Sequence, residues 1–202
     1  MKDVYYWWKV FETTEIKDFN KECKKYFQKG IDRKAVGVTK TANVFYINKN
    51  KFLQSKYKDK LNRIFQMVDE ANRKVFGFNI YGNPHMYDGV FNYNVYNAER
   101  EGTYDWHIDG NLVEQSDLKL TALINLSERS YKGGELKIVG RTHYQVPEMK
   151  PGYMIVFPSF LAHKVEPVTE GERISLAMWF WGPAFVWYNA TMALKKIAFA
   201  PG

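Results

Sequence analysis

His107 and Asp109 stand two residues apart in the stretch Tyr104-Asp105-Trp106-His107-Ile108-Asp109-Gly110. In extended backbone, side chains at i and i+2 project from one face. An imidazole and a carboxylate can therefore reach one ion from one strand end. Two ligands hold a catalytic metal poorly, so a third is expected from elsewhere. His163, in Phe157-Pro158-Ser159-Phe160-Leu161-Ala162-His163, is the best candidate. Two imidazoles and one carboxylate on one face of an ion form the facial triad that suits Fe(II). The other coordination positions stay open for a cosubstrate and O2.

Arg173 follows His163 by ten residues, on an apolar stretch, Arg173 to Trp181. A guanidinium inside a barrel is costly unless it meets an anion. Its fork matches a carboxylate in bidentate geometry. A dicarboxylate that chelates the ion at one end and meets Arg173 at the other satisfies both facts, and 2-oxoglutarate has that shape. The competing reading of Arg173 is an ion pair with Glu170 or Glu172. The competing reading of the His-Asp pair is a hydrogen-bonded surface strand end.

The elements that must position these groups are read from periodicity. Val4 to Phe11 is aromatic and β-branched, as a strand is. Ile16, Phe19, Cys23, Tyr26 and Phe27 recur at helical spacing, with Thr14 as the cap and Gly30 as the stop. Val36–Val38 and Asn43–Ile47 read as short strands. A second helix is expected from about Lys56 to Phe76, ended by Gly77. Residues 79–90 read as a loop. Strands are expected over Asn92–Tyr96, Leu118–Leu126, Glu135–Val139, Tyr153–Phe157, His163–Val168 and Arg173–Trp181. This pattern predicts a mainly β fold with flanking helices (α+β). It predicts one domain over 1–202: helical and strand support (1–90), a catalytic core (91–183) and a C-terminal extension (184–202). The metal set requires the strand carrying His163 to lie beside the one carrying His107.

Composition limits the alternatives. The chain has 202 residues, 46% of them hydrophobic, enough to bury a sizeable core. The single cysteine, Cys23, forms no intrachain disulfide, which favours a reducing, cytoplasmic compartment. No signal peptide and no membrane-spanning apolar run is evident. The net charge of +7 resides in the first sixty residues, with 15 Lys+Arg against 7 Asp+Glu. That excess could attract nucleic acid or an acidic protein, but it reads better as solvated lysines on helix faces.

The ordered set of motifs resembles the 2-oxoglutarate/Fe(II)-dependent dioxygenase superfamily, more narrowly its prolyl 4-hydroxylase-like branch. The set comprises Tyr96, Gly102, Tyr104, His107-x-Asp109 and Leu120 to Leu126. It continues with Gly133-Gly134-Glu135-Leu136, Pro151-Gly152, Phe157-Pro158, His163, Arg173 and Trp179. The resemblance covers 91–183; residues 1–90 resemble the family only loosely.

It implies a double-stranded β-helix (jelly-roll, cupin-like) core. His107, Asp109 and His163 would bind Fe(II), Arg173 would anchor 2-oxoglutarate, and O2 would be the second cosubstrate. Decarboxylation to succinate and CO2 would accompany hydroxylation of the substrate. Tyr96 and Trp179 would line the cosubstrate site, although plain core aromatics fit them equally. Asn125 stands where some relatives offer a Tyr to the far carboxylate. Lys40, Tyr104 and His85 are the candidate substrate rim, since loops and edges on such scaffolds carry specificity. His143 reads as a hairpin or surface residue, and Trp106 as packing on the opposite face. A protein or peptide substrate is expected, with a prolyl residue as one candidate. The alternatives are a small-molecule hydroxylase, a nucleic-acid dioxygenase and a non-catalytic jelly-roll binding module.

Overall fold

The computed structural model describes residues 5–28, 40–81, 90–110, 116–139, 144–145 and 149–184. The N-terminal part runs β1 (Tyr6–Lys9), α1 (Thr13–Lys24), β2 (Lys40–Thr41), β3 (Asn43–Asn48), α2 (Lys49–Phe52) and α3 (Lys58–Ala71). The β-rich part follows as β4 (Val90–Asn97), β5 (Thr103–His107), β6 (Ser116–Asn125), β7 (Lys132–Gly133), β8 (Leu136–Val139) and β9 (Tyr144–Gln145). It ends with β10 (Tyr153–Pro158), β11 (His163–Val165), β12 (Val168–Glu170) and β13 (Glu172–Pro183).

The strands form a six-stranded sheet in the order β1-β10-β6-β13-β4-β3 and a five-stranded sheet in the order β2-β5-β11-β8-β9. A small ladder joins β12 to β7. Pairing is antiparallel throughout these sheets, and the core is a jelly roll. Residues 1–90 supply β1 and β3 to the large sheet and β2 to the small one.

Period-two alternation explains the layering. On β13, Ile174, Leu176 and Met178 join the cluster formed with α1 and α3, around Ile16, Phe19, Cys23, Leu61, Ile64 and Val68. Ala177 faces the other way, into the cluster between the sheets with Leu123, Ile155, Phe157, Leu136, Ile138 and Val165. Both faces of β13 are covered, which is why it reads as one apolar run. Arg173, Ser175 and Trp179 share the inward face with Ala177. On β4 the same alternation sends Phe91 and Tyr93 to the helices, and Asn92, Asn94 and Tyr96 inward.

Local details correct the sequence reading. The first helix starts at Thr13, with Glu12 rather than Thr14 at its N-cap; the Glu15 carboxylate accepts from the Glu12 N–H at 2.7 Å. It ends at Lys24, short of Gly30. The second helix is shorter than expected. A separate turn, α2, precedes it, and Asn72–Phe76 widens into a π-turn before Gly77 in the left-handed region at φ 74°. The expected strand at 36–38 lies outside the described residues.

Gly152 ties the N-terminal strand to the barrel. Its φ is 84°, and an added Cβ would sit 2.2 Å from the Phe11 carbonyl oxygen. Its own carbonyl accepts from Val10 and Phe11 N–H groups at 2.8 and 3.0 Å. Gly152→Ala is expected to destabilise by about 2 kcal/mol or more, because left-handed backbone and backbone clash combine. A thermal midpoint lowered by several degrees would show this; an unchanged midpoint would contradict it.

Candidate metal centre and its pocket

The long-range requirement set by the ligands is met in the strand register. β11 pairs with β5 so that His163 and His107 are direct Cα partners. Past the end of β5, the Asp109 N–H donates to the Ser159 carbonyl at 2.9 Å. That bond returns the Asp109 side chain to the two imidazoles. His107 Nε2 lies 3.8 Å from Asp109 Oδ1, and His163 Nε2 lies 3.6 Å from Asp109 Oδ2. One ligand atom from each of the three residues falls within 4.8 Å of the others, so a single metal ion fits between them.

The surrounding hydrogen bonds favour this use. His107 Nδ1 lies 2.7 Å from the Asp105 carbonyl, and His163 Nδ1 lies 2.9 Å from the Leu161 carbonyl. A carbonyl only accepts, so each Nδ1 carries the hydrogen and each Nε2 presents its lone pair. Burial, followed by the neighbouring His163, pushes His107 down to about 4. The imidazole is therefore neutral at pH 7, as a ligand must be. Tyr104 stacks on the His107 ring at 3.5 Å between centroids and fixes its plane. Asp109 Oδ2 accepts from Thr121 Oγ1 at 2.8 Å and from Trp179 Nε1 at 3.0 Å. Thr121 is in turn 2.9 Å from Ser159 Oγ.

Thr121 was not singled out from sequence, yet a lone hydroxyl within Leu120-Thr121-Ala122-Leu123 at an inward position was a legible signal. Partners of this kind tune metal affinity. Thr121→Val, which keeps the shape and removes the donor, is expected to weaken Mn(II) binding roughly 10-fold or more. Unchanged affinity in a titration would show that Thr121 serves packing alone.

The three ligands open onto a cavity of about 80 Å³ lined also by Tyr96, Tyr104, Leu123, Arg173, Ser175 and Trp179. Arg173 is 1% exposed and is the largest fully buried side chain among the described residues. Its Nη1 donates to Ser175 Oγ at 3.3 Å, its guanidinium lies 5.3 Å from the Tyr96 ring centre, and its Nε has no partner among the described residues. The Glu170 carboxylate pairs instead with Lys132 at 2.7 Å. Gly134, at φ 69°, leaves room for the Arg173 stem, since an added Cβ would lie 2.9 Å from Arg173 Cδ. Tyr96 is buried, which pushes its phenol above its ordinary range.

Other sequence expectations fare differently. Lys40 lines the cavity itself, donates to Asn94 Oδ1 at 2.9 Å, and lies 4.5 Å over the Tyr104 ring. Desolvation pushes its ammonium down to about 8. Asn125 is buried but does not line the cavity. Its amide donates to Tyr131 Oη and the Met149 carbonyl and accepts from the Ser127 N–H, so it holds a turn together. Trp106 is 38% exposed, with the Lys164 ammonium 5.4 Å from its ring centre, so it is a surface residue rather than a packing one. His85 and His143 lie outside the described residues. Asn92, Asn94 and Ser175 also line the cavity. For the two asparagines, the alternation Asn92-Tyr93-Asn94-Val95-Tyr96 was the available signal.

Residues 91–181 match the model of the 2OG-Fe(II) oxygenase superfamily. A PKHD-type hydroxylase of Shewanella oneidensis is 39% identical over 82 residues, a stretch covering 38% of this chain and 37% of that protein. Among solved structures, a Pseudomonas putida prolyl-4-hydroxylase superposes with a TM-score of 0.67 at 18% identity, covering 90% of this chain and 94% of that one. A Trichoplax adhaerens prolyl hydroxylase, solved with a hypoxia inducible factor oxygen degradation domain peptide fragment, gives 0.63 at 14% identity over 98% and 88% of the two chains. These two likenesses concern the fold. Over residues 91–181 the chain is thus similar to the 2-oxoglutarate/Fe(II) oxygenase superfamily, and its fold, with the converging His-Asp-His set, is like that of the solved prolyl 4-hydroxylases.

Proposed function

We propose that this chain is an Fe(II)- and 2-oxoglutarate-dependent hydroxylase of a protein or peptide side chain, with a prolyl residue as the first candidate. Its single domain, 1–202, would work in a reducing, cytoplasmic compartment. The observation that carries the reading is one cavity lined both by the three ligand residues and by a buried Arg173 that meets no carboxylate among the described residues.

In this reading His107, Asp109 and His163 hold Fe(II), which supplies O2-driven coupling of 2-oxoglutarate decarboxylation to insertion of one oxygen atom into a substrate C–H bond. The chain's own residues do the rest. Arg173 offers its fork to the far carboxylate of 2-oxoglutarate, and the Tyr96 ring beneath the guanidinium keeps water from it. Trp179 and Thr121 hold Asp109 in place, and Tyr104 holds the plane of His107. The apolar walls Leu123, Val165 and Ala177 exclude solvent from the reacting centre.

A peptide substrate is supported by the surface near the ligands. Ile108 at 60%, Phe160 at 48% and Trp106 at 38% exposure are large apolar side chains left at the surface close in sequence to the ligands, where an extended chain could cover them. The small cavity favours a second reading, a free amino acid or metabolite. Within the basic N-terminal third, Lys9, Lys25, Lys56 and Lys60 pair with Glu12, Glu22, Asp18 and Glu15, which supports a solvated, ion-paired surface over a nucleic-acid face. Cys23 is fully buried, with its thiol pushed above the ordinary range by desolvation, in keeping with a reducing environment. Among the described residues no helix is long and apolar enough to cross a membrane.

The test is incubation with Fe(II), 2-oxoglutarate and a library of prolyl and non-prolyl peptides. Fe(II)-dependent succinate with a one-oxygen mass gain on a peptide is expected. Succinate with oxygen gain only on free amino acids would replace this reading by the second one.

A further inference from the structure

Lys40 lines the same cavity as Arg173: its ammonium lies 5.9 Å from the centre of the Tyr96 ring, which the Arg173 guanidinium approaches at 5.3 Å. It sits on β2, the edge strand of the small sheet, as the Cα partner of Tyr104 on the ligand-bearing strand β5. Arg173 comes from the large sheet. Among the described residues the Lys40 ammonium has one hydrogen-bond acceptor, the neutral amide oxygen of Asn94, and makes no ion pair. Two desolvated cations therefore share one small cavity, which costs free energy unless anions arrive. The Asn92 Oδ1 is buried nearby without a donor among the described residues.

A charge count gives this arrangement a purpose. Fe(II), Asp109, Arg173 and Lys40 together bring three net positive charges to the cavity. 2-Oxoglutarate brings two negative ones. Its far carboxylate has the Arg173 fork, and its 2-oxo acid end has the ion. Lys40 is left over, on the edge strand, with one positive charge unmatched among the described residues.

We propose that Lys40, positioned by Asn94, receives a carboxylate of the primary substrate. This rests on the function proposed above and narrows its substrate class. The substrate carries an acidic group close to the carbon that is hydroxylated, and an N–H beside it meets Asn92 Oδ1. The acid is either a free α-carboxylate or an acidic side chain within a peptide, and the chemistry at Lys40 is the same for both.

The experiment uses the full chain loaded with Mn(II) and N-oxalylglycine, an unreactive 2-oxoglutarate analogue. Into it are titrated free L-proline and L-glutamate, their amides, and blocked tripeptides with a central glutamate or glutamine. Binding is read from tryptophan fluorescence and thermal midpoint. For the wild type, the acids are expected to bind about tenfold or more tighter than the matched amides. Whether the free acids or the blocked glutamate peptide bind identifies the source.

In Lys40→Met the preference for acid over amide disappears, while Mn(II) and N-oxalylglycine affinities stay within about twofold. Lys40→Gln is expected to behave alike. Both variants should melt cooperatively at or above the wild-type midpoint, because a desolvated cation has been removed. Equal binding of acids and amides by the wild type would overturn the proposal. A loss of N-oxalylglycine affinity in Lys40→Met as large as in Arg173→Met would also overturn it, by making Lys40 a cosubstrate contact. Failure of the wild type to bind Mn(II) and N-oxalylglycine, with Lys40-dependent acid binding retained, would sink the catalytic reading and leave the carboxylate site standing.

Discussion

Asp109→Ala is expected to lose Fe(II) affinity by at least about 100-fold, more than the loss typical for a residue one step removed from the ion. Asp109 is the only carboxylate of the converging set, and its charge offsets that of the cation. Without it, two neutral imidazoles must bind a divalent ion alone. The fold should survive. Thr121 keeps its contact to Ser159, and only Trp179 Nε1 and Thr121 Oγ1 lose an acceptor, at roughly 1 kcal/mol each. Fe(II)-dependent succinate formation should vanish while the thermal midpoint of the metal-free protein changes little. The same result is expected for His107→Ala. Retained succinate production in either variant would remove the metal assignment.

Arg173→Met should separate cosubstrate from metal. In the proposed reading, replacing the guanidinium by an apolar chain would leave the far carboxylate of 2-oxoglutarate without its partner, a loss of about 2–5 kcal/mol. The 2-oxoglutarate requirement should therefore rise roughly 30-fold or more, while Fe(II) affinity stays within a few-fold. Methionine also fills part of the space left by the stem, so the variant avoids a cavity. Because the free protein buries this cation without a carboxylate among the described residues, the variant's unliganded midpoint should equal or exceed that of the wild type. Equal losses in metal and cosubstrate affinity, with a lowered midpoint, would make Arg173 a structural residue.

Much of this site was legible because its residues are chemically odd where they stand. Two-residue spacing betrayed His107 and Asp109, and a charge heading an apolar strand betrayed Arg173. Alternation was enough to find β4 and a continuous apolar run to find the doubly covered β13, while the short strands β2, β7, β9 and β12 carried too little pattern. What was not legible is register. That His163 meets His107 depends on pairing between strands distant in sequence, which no local pattern encodes. That Lys40 reaches the cavity of the ligands was hidden for the same reason: a two-residue strand carries too little pattern to reveal which way its lysine points. Asn125 failed for another reason. Its amide is consumed by Met149, Tyr131 and Ser127, partners that only the folded turn brings together. The division of the second helix escaped notice because its apolar spacing continues through the π-turn at Asn72–Phe76.

One measurement addresses the central claim most directly: anaerobic visible absorption of the apoprotein, titrated first with Fe(II) and then with 2-oxoglutarate. The expected result is a metal-to-ligand charge-transfer band that appears only when both are present, is absent in Asp109→Ala, and needs a higher 2-oxoglutarate concentration in Arg173→Met. A folded wild-type protein that shows no band with both ligands would contradict the assembly of His107, Asp109 and His163 around iron, and a non-catalytic jelly-roll binding module would become the better description.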